Sequence, residues 1–254
     1  QVYCRPGFPL RAGPPAPGMS KPLDPLLLHA EAGDLEAIRA IEEADLPKRL
    51  RKRDEDSRTA LHRACASGHR EVVEFLLAKG ADPNLEDEEG WAPLHSCCSK
   101  GDAALAGLLL TARAEPSADT SSGATPLHFA ASKGHAEVLQ QLLQAGARRN
   151  ARDRQGGTAL LRAVGRGHER VVRLLLEAQA DIKAKDRAGD NALHVAINGQ
   201  HVAVCEVLMG RDEALTMMQE DNEDGKSPAQ LLLDLQPMEV RDMIRSVWRA
   251  THGG

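Results

Sequence analysis

Apolar residues recur along this chain in short helical stripes rather than in strict alternation. Val72, Val73, Phe75, Leu76 and Leu77 form one stripe, and Val171, Val172, Leu174, Leu175 and Leu176 form another. That spacing predicts a helix with a wide apolar face. Ahead of each stripe stands a shorter segment opened by a tetrapeptide. Thr59-Ala-Leu-His62 returns as Ala92-Pro-Leu-His95, Thr125-Pro-Leu-His128, Thr158-Ala-Leu-Leu161 and Asn191-Ala-Leu-His194, in steps of 33 residues. Threonine suits the cap of a short helix, and proline suits its first turn, where the missing N–H has no partner to lose. A glycine follows nine residues after four of the five starts, at Gly68, Gly101, Gly134 and Gly167, with Gln200 in its place after the fifth, and is placed to end that helix. His69, His135, His168 and His201 come next and lead into the apolar stripe. Each unit therefore predicts a helix, a turn and a second helix.

Between units the chain runs through Asp-x-x-Gly, as in Asp87 to Gly90, Asp153 to Gly156 and Asp186 to Gly189. This is turn chemistry, and it predicts a finger projecting from the stack. Weaker copies flank the five strong ones, at Asp24-Pro-Leu-Leu27 and Ser227-Pro-Ala-Gln230. Terminal units lose a neighbour, so they are free to depart from the pattern. The last helix places Val240, Met243, Ile244, Val247 and Trp248 on one face, as a one-sided cap. Period and signature together resemble the ankyrin repeat. The expected fold is an all-α ankyrin-repeat solenoid of about seven helix-turn-helix repeats with projecting β-hairpin fingers. Its tetrapeptides start near 24, 59, 92, 125, 158, 191 and 227, within a domain over residues 19–252. Residues 1–18 are rich in Pro and Gly and are expected to be disordered, with Met19 a candidate start.

Composition agrees with thin stacked helices. Aromatics make up 2% of the chain, low for an enzyme built on a single thick core. The net charge of −5 carries no domain-wide basic excess, which argues against a nucleic-acid partner. Apolar runs fall short of the ~18 residues of a membrane span, and no signal-peptide pattern opens the chain. Cys4, Cys65, Cys97, Cys98 and Cys205 form no spaced ligand set, and a reducing compartment is the simpler expectation.

His62, His95, His128 and His194 are the first candidates for catalysis or metal binding. They occur once per repeat, in successive layers, so they do not converge on a point. A structural role, bonding the backbone of the neighbouring loop, accounts for their recurrence. Cys97 and Cys98 stand where a pair of alanines would be usual, either as small buried residues or as a redox pair. No phosphate-binding loop and no nucleophile elbow occurs. The chain is read as a non-enzyme with no cofactor. Lys48 to Arg53 is a basic cluster, either a solvated flank balanced by Asp54, Glu55 and Asp56 or a site for nuclear import or an acidic partner.

Positions not needed for stacking are free to bind a partner. These are the finger residues before the tetrapeptide and the exposed side of the first helix. The fingers supply Glu55, Asp56 and Arg58, then Glu88, Glu89 and Trp91; the helices supply Ser67, Lys100, Lys133 and Arg166. Acidic early fingers thus stand before a basic helical row. Trp91 is either a hot spot in that groove or a residue packed on the next finger. Such a charge division predicts salt-sensitive binding of a complementary protein.

Several details are more specific than the repeat itself. Asp54-Glu-Asp-Ser-Arg-Thr-Ala-Leu-His62, Gly90-Trp91-Ala-Pro-Leu-His95 and Thr125-Pro-Leu-His-Phe-Ala-Ala-Ser-Lys133 closely resemble the gankyrin family. The resemblance implies a chaperone for assembly of the proteasome regulatory particle, one that binds the C-terminal domain of a base ATPase along the concave face. By the same resemblance, Arg58, Trp91 and Lys133 match contact positions, with Asp56 and Glu88 as acidic neighbours. It further implies a monomer of cytoplasm and nucleus, with no nucleic-acid or membrane partner. Two features depart from the family. Val195-Ala-Ile-Asn-Gly199 replaces the L-x-C-x-E stretch linked to retinoblastoma-type partners, and Leu161 replaces the fifth histidine. A generic ankyrin adaptor in ubiquitin ligation or signalling, and the regulatory part of an enzyme, are the alternatives.

Overall fold

Proline at the first helical turn and a left-handed glycine after the last set the length of three of the seven first helices, those ending at Gly33, Gly101 and Gly134. Pro93–Lys100 ends at Gly101 (φ 81°) and Pro126–Lys133 at Gly134 (φ 79°). The computed structural model describes residues 23–252 apart from 42 and 237. The tract 1–18, Met19 and Cys4 lie outside the described residues. Among the described residues there are sixteen helices and no strands. They form seven helix–turn–helix pairs and two single-turn helices. The pairs are Pro25–Ala32 with Leu35–Arg39, Ala60–Ser67 with Arg70–Ala78, and Pro93–Lys100 with Ala103–Thr111. Then come Pro126–Lys133 with Ala136–Gln144 and Ala159–Val164 with Glu169–Glu177. Ala192–Asn198 with Val202–Met209 and Pro228–Asp234 with Met238–His252 complete the series. These pairs are called repeats 1 to 7 below.

First helices pack on one another in sequence, and from repeat 2 onward so do the second helices, making two rows. A continuous apolar core lies between the rows. Leu61, Leu94, Leu127, Leu160 and Leu193 repeat at one level of it and are all essentially buried. Cys65, Cys97, Cys98 and Cys205 belong to this core. A hydrogen bond with Cys97, followed by burial, holds the Cys65 thiol well above its ordinary value. Burial does the same for Cys98 and pushes Cys205 up to about 12. All three are thereby kept as thiols, as small buried residues would be.

Close approach adds a second demand on the helix-ending glycines. A Cβ at Gly101 would stand 2.5 Å from the His135 ring, which seats on the glycine and bonds the Ser99 carbonyl through Nε2 at 3.2 Å. His69, His168 and His201 repeat this tie to the preceding repeat. Repeat 3 carries Asp102 there instead, and that carboxylate caps its own helix at the Leu105 N–H (2.9 Å). The space beside Gly68 is correspondingly open, and the Lys100 ammonium crosses the junction to the Ala66 carbonyl.

In repeat 7 the long final helix buries Ile244 fully and packs on Val202–Met209. Met243, expected on that packed face, is instead 53% exposed. Its place one residue before Ile244 turns it about a quarter-circle away from the core.

Candidate protein-binding groove

Each finger is closed by one backbone bond across its base and one within its turn, rather than by a ladder. In repeat 3 the Asp87 N–H donates to the Trp91 carbonyl (2.9 Å), and in repeat 5 the Asp153 N–H donates to the Gly157 carbonyl (2.9 Å). A single closing pair explains why the expected hairpins carry no strand. The side chain of the opening acid does the rest. Asp54 Oδ1 accepts from the N–H groups of Asp56 (3.0 Å) and Arg58 (2.8 Å), and Asp153 Oδ1 accepts from those of Gln155 and Gly157 (both 2.9 Å). Asp87, Asp186 and Asn222 hold their fingers in the same way.

Neighbouring fingertips are joined in a row. The Glu88 N–H donates to the Asp56 carbonyl (3.1 Å) and the Ser121 N–H to the Glu89 carbonyl (2.8 Å). Arg154 to Ser122 (2.9 Å), Arg187 to Gln155 (3.0 Å) and Glu223 to Ala188 (2.9 Å) continue the row. The register of side chains along the tips is therefore fixed by backbone bonds.

Behind the tips runs the row of histidines. Nδ1 of His62 accepts the Thr59 N–H (3.1 Å), so the ring proton sits on Nε2, which donates to the Trp91 carbonyl (2.9 Å). His128 bonds the Thr125 N–H (3.0 Å) and the Gly157 carbonyl (3.1 Å), and His194 the Asn191 N–H (3.2 Å) and the Lys226 carbonyl (2.9 Å). His95 reaches Ala92 and Ala118 in the same manner. Every one ties its own helix cap to the next loop, the structural role expected of the row. Burial pushes His62, His95 and His128 below the ordinary imidazole value despite their carbonyl partners, so they stay neutral. Among the described residues no group of three or more His, Cys, Asp or Glu could hold a metal ion.

The sequence-expected groove residues divide into two kinds. Arg58 and Asp56 are closed on the chain: the Arg58 guanidinium lies 3.1 Å from Asp54 Oδ2 and 2.5 Å from Asp56 Oδ2. Arg63 joins them, 2.7 Å from Asp54 Oδ2, and pairs with Glu31 as well. Asp54 is 3% exposed. Burial raises its pKa, but the Arg58 N–H and the two guanidinium groups prevail and hold it below the usual carboxylate range. This network walls a cavity of about 990 Å³ between the start of repeat 1 and the second finger. Trp91 is half-buried, and its ring packs on the next first helix. Its ring lies 4.6 Å from Phe129 and 5.7 Å from His95, centroid to centroid. Lys100 is the ammonium that bonds Ala66.

Glu88, Lys133 and Arg166 are the second kind. All three are exposed and make no ion pair among the described residues. The fingertips of repeats 5 and 6 add Arg154 and Arg187, exposed and likewise unpaired there. These two arginines lie outside the sequence-expected groove set, although each directly follows the finger acid as Glu55 and Glu88 do. Arg162 differs: its Nε lies 2.9 Å from Asp153 Oδ2, repeating the Asp54–Arg63 pair nine residues apart. Of the basic cluster, Arg49 pairs with Asp24 and Arg53 bonds the Ser57 and Glu86 carbonyls, while Lys48, Arg51 and Lys52 are exposed. Among the described residues the groove presents charge and a half-buried indole.

Family profiles for ankyrin repeats match residues 77–153, 94–186 and 141–220 (three copies) and 43–97 (many copies). Among curated proteins, the chain is 48% identical over 58 residues to the 26S proteasome non-ATPase regulatory subunit 10 of Homo sapiens, covering 23% of this chain and 25% of that one. The subunits of the same name from Rattus norvegicus and Mus musculus are each 62% identical over 34 residues, 13% of this chain and 15% of theirs. The aligned segments thus span a quarter or less of each relative.

Proposed function

The chain belongs to the ankyrin-repeat family, and from that premise we propose that it is a chaperone of proteasome regulatory-particle assembly. Its groove would hold the C-terminal domain of one base ATPase and cover that surface until assembly order permits release. The observation that carries this function is the identity to a proteasomal regulatory subunit over 58 residues. The open cations Lys133 and Arg166 supply the surface on which to hold an acidic protein face. The action is steric and electrostatic, with no reaction and no cofactor. A monomer of cytoplasm and nucleus suits that task. A generic adaptor remains the second function, favoured by the short share of each relative that aligns.

Affinity capture from separately expressed C-terminal domains of the base ATPases tests the assignment. Wild type is expected to retain one of them selectively, and Lys133→Glu/Arg166→Glu to lose it while staying folded. Both residues are exposed and unpaired, so inverting them spares the stack. Capture of none of the domains by wild type overturns the chaperone function and leaves the adaptor.

A further inference from the structure

Charge along the fingertip row reverses sign partway through the stack. Glu55 and Glu88 occupy the position after the residue that opens the finger in repeats 2 and 3, Ser121 occupies it in repeat 4, Arg154 and Arg187 in repeats 5 and 6, and an exposed Glu223 returns an acid there in repeat 7. Tip-to-tip backbone bonds hold these residues in register, so the reversal is a property of the surface and not only of the sequence. Lys133 on the first helix of repeat 4 and Arg166 stand behind the basic tips, exposed as well; Arg166, expected on a first helix, lies instead in the turn that follows Ala159–Val164.

A second feature lies in the same place. A cavity of about 330 Å³ opens between the fifth finger and the first helices of repeats 4 to 6. Leu161 and Val195 contribute apolar surface to it, and Arg162 and Arg166 line it as cations. Leu161 takes the place where the other strong repeats carry histidine, so no imidazole bridges to the next finger there. The one acid lining the cavity, Asp186, has Oδ1 engaged by the N–H groups of Ala188 and Asp190.

We propose that this half of the groove docks an acidic polypeptide segment, with an apolar side chain of that segment seated on Leu161 and Val195. The acidic tips of repeats 2 and 3 then repel the same segment, so the groove fixes which end of a partner faces which end of the stack. Fixed polarity of this kind steers encounter and rejects the reversed pose. The proposal rests on the groove being the binding face, as above, but not on the partner being a proteasomal ATPase.

A fluorescent peptide of alternating Glu and Leu, carrying a photo-crosslinker, is the probe, with a Lys/Leu peptide as its counterpart. Anisotropy at low ionic strength is expected to show binding of the acidic probe to the full chain, with crosslinks between residues 154 and 195. Arg154→Glu/Arg187→Glu is expected to weaken it by about tenfold or more, the sum of two lost attractions and two new repulsions. Glu55→Lys/Glu88→Lys keeps or tightens it, and circular dichroism confirms that both variants fold. The proposal is overturned if wild type does not bind the acidic probe, or if crosslinks fall on repeats 2 and 3 or on the second helices. It is also overturned if sedimentation shows a dimer that Arg154→Glu/Arg187→Glu dissociates, since the basic tips would then serve a second copy. An ATPase capture that fails while the acidic probe binds here removes the chaperone function and leaves this proposal standing.

Discussion

Repeats 2 and 5 carry the same finger pair, Asp54 with Arg63 and Asp153 with Arg162, yet they handle their remaining charges in opposite ways. At repeat 2, Arg58 is folded back between Asp54 and Asp56, and Arg63 is shared with Glu31. At repeat 5, Arg154 stands at the tip and Arg166 in the turn after the first helix, and neither has an ion-pair partner among the described residues. A cation closed on its own chain stabilises that chain and has little left to offer a partner. An open one stabilises nothing locally and is available. The basic residues of this groove are therefore not equivalent, although one pattern in the sequence produced them.

The strongest way to break the contrast is to remove its buried centre. Asp54→Ala leaves two guanidinium groups and two backbone N–H groups without their acceptor, and a loss of about 3 kcal/mol is expected in urea denaturation. Arg154→Ala, on an open tip, is expected to change stability by less than about 0.5 kcal/mol. Equal losses at the two sites would dissolve the distinction.

A smaller effect is expected along the histidine row. His128→Leu removes the bonds to Thr125 and Gly157 and reproduces what repeat 5 has at Leu161; the expected cost is about 1–2 kcal/mol. The same row sets a pH dependence. His62, His95 and His128 have depressed folded-state values, so below the ordinary 6.5 the unfolded chain binds protons that the native one refuses. Stability is thus full above that pH and falls as pH drops through and below it. Asp54 and Asp153 add a second loss once pH falls below the ordinary 3.8, as their depressed carboxylates become protonated. A melting temperature that stays flat from pH 7 to pH 5 would contradict the neutral row.

Smaller still is the effect of Ser57. It holds φ at +63° where the other fingers place glycine, as at Gly156 (φ 77°). Ser57→Gly is expected to stabilise by up to about 1 kcal/mol, bringing the second finger closer to the fifth. Thermal melts of the two proteins decide it.

Much of this architecture was legible because the period of 33 residues carries its own register. Once Thr59 and His62 are aligned with Thr125 and His128, helices, turns and the histidine role follow from local chemistry. What escaped depends on side-chain reach. Ser57 hid the second finger from the Asp-x-x-Gly pattern, and with it the place of Asp54 as the acid that closes on Arg58. The residue nine places after each finger acid decides whether a cation is held there: Arg63 and Arg162 are, while Ser96 and Val195 cannot be, and repeat 4 opens its finger with Thr120 and so has no acid at all. Trp91 was read as a groove residue or a finger contact; its packing on Phe129 depends on a ring in the next repeat, 38 residues away in sequence. The basic tips are legible in the sequence, since Arg154 and Arg187 follow Asp153 and Asp186 as Glu55 and Glu88 follow Asp54 and Asp87.

The central claim is that the open charges of the groove, and not the second-helix side, hold the partner. Calorimetric titration of the captured protein tests it most directly, comparing wild type with Lys133→Glu/Arg166→Glu and with Arg170→Glu/Arg173→Glu on the second helix of repeat 5. The groove pair is expected to weaken binding by about tenfold or more and to reduce its salt dependence, while the second-helix pair leaves affinity within about twofold. Binding that survives the groove inversions, or is lost on inverting the second helix alone, would contradict it.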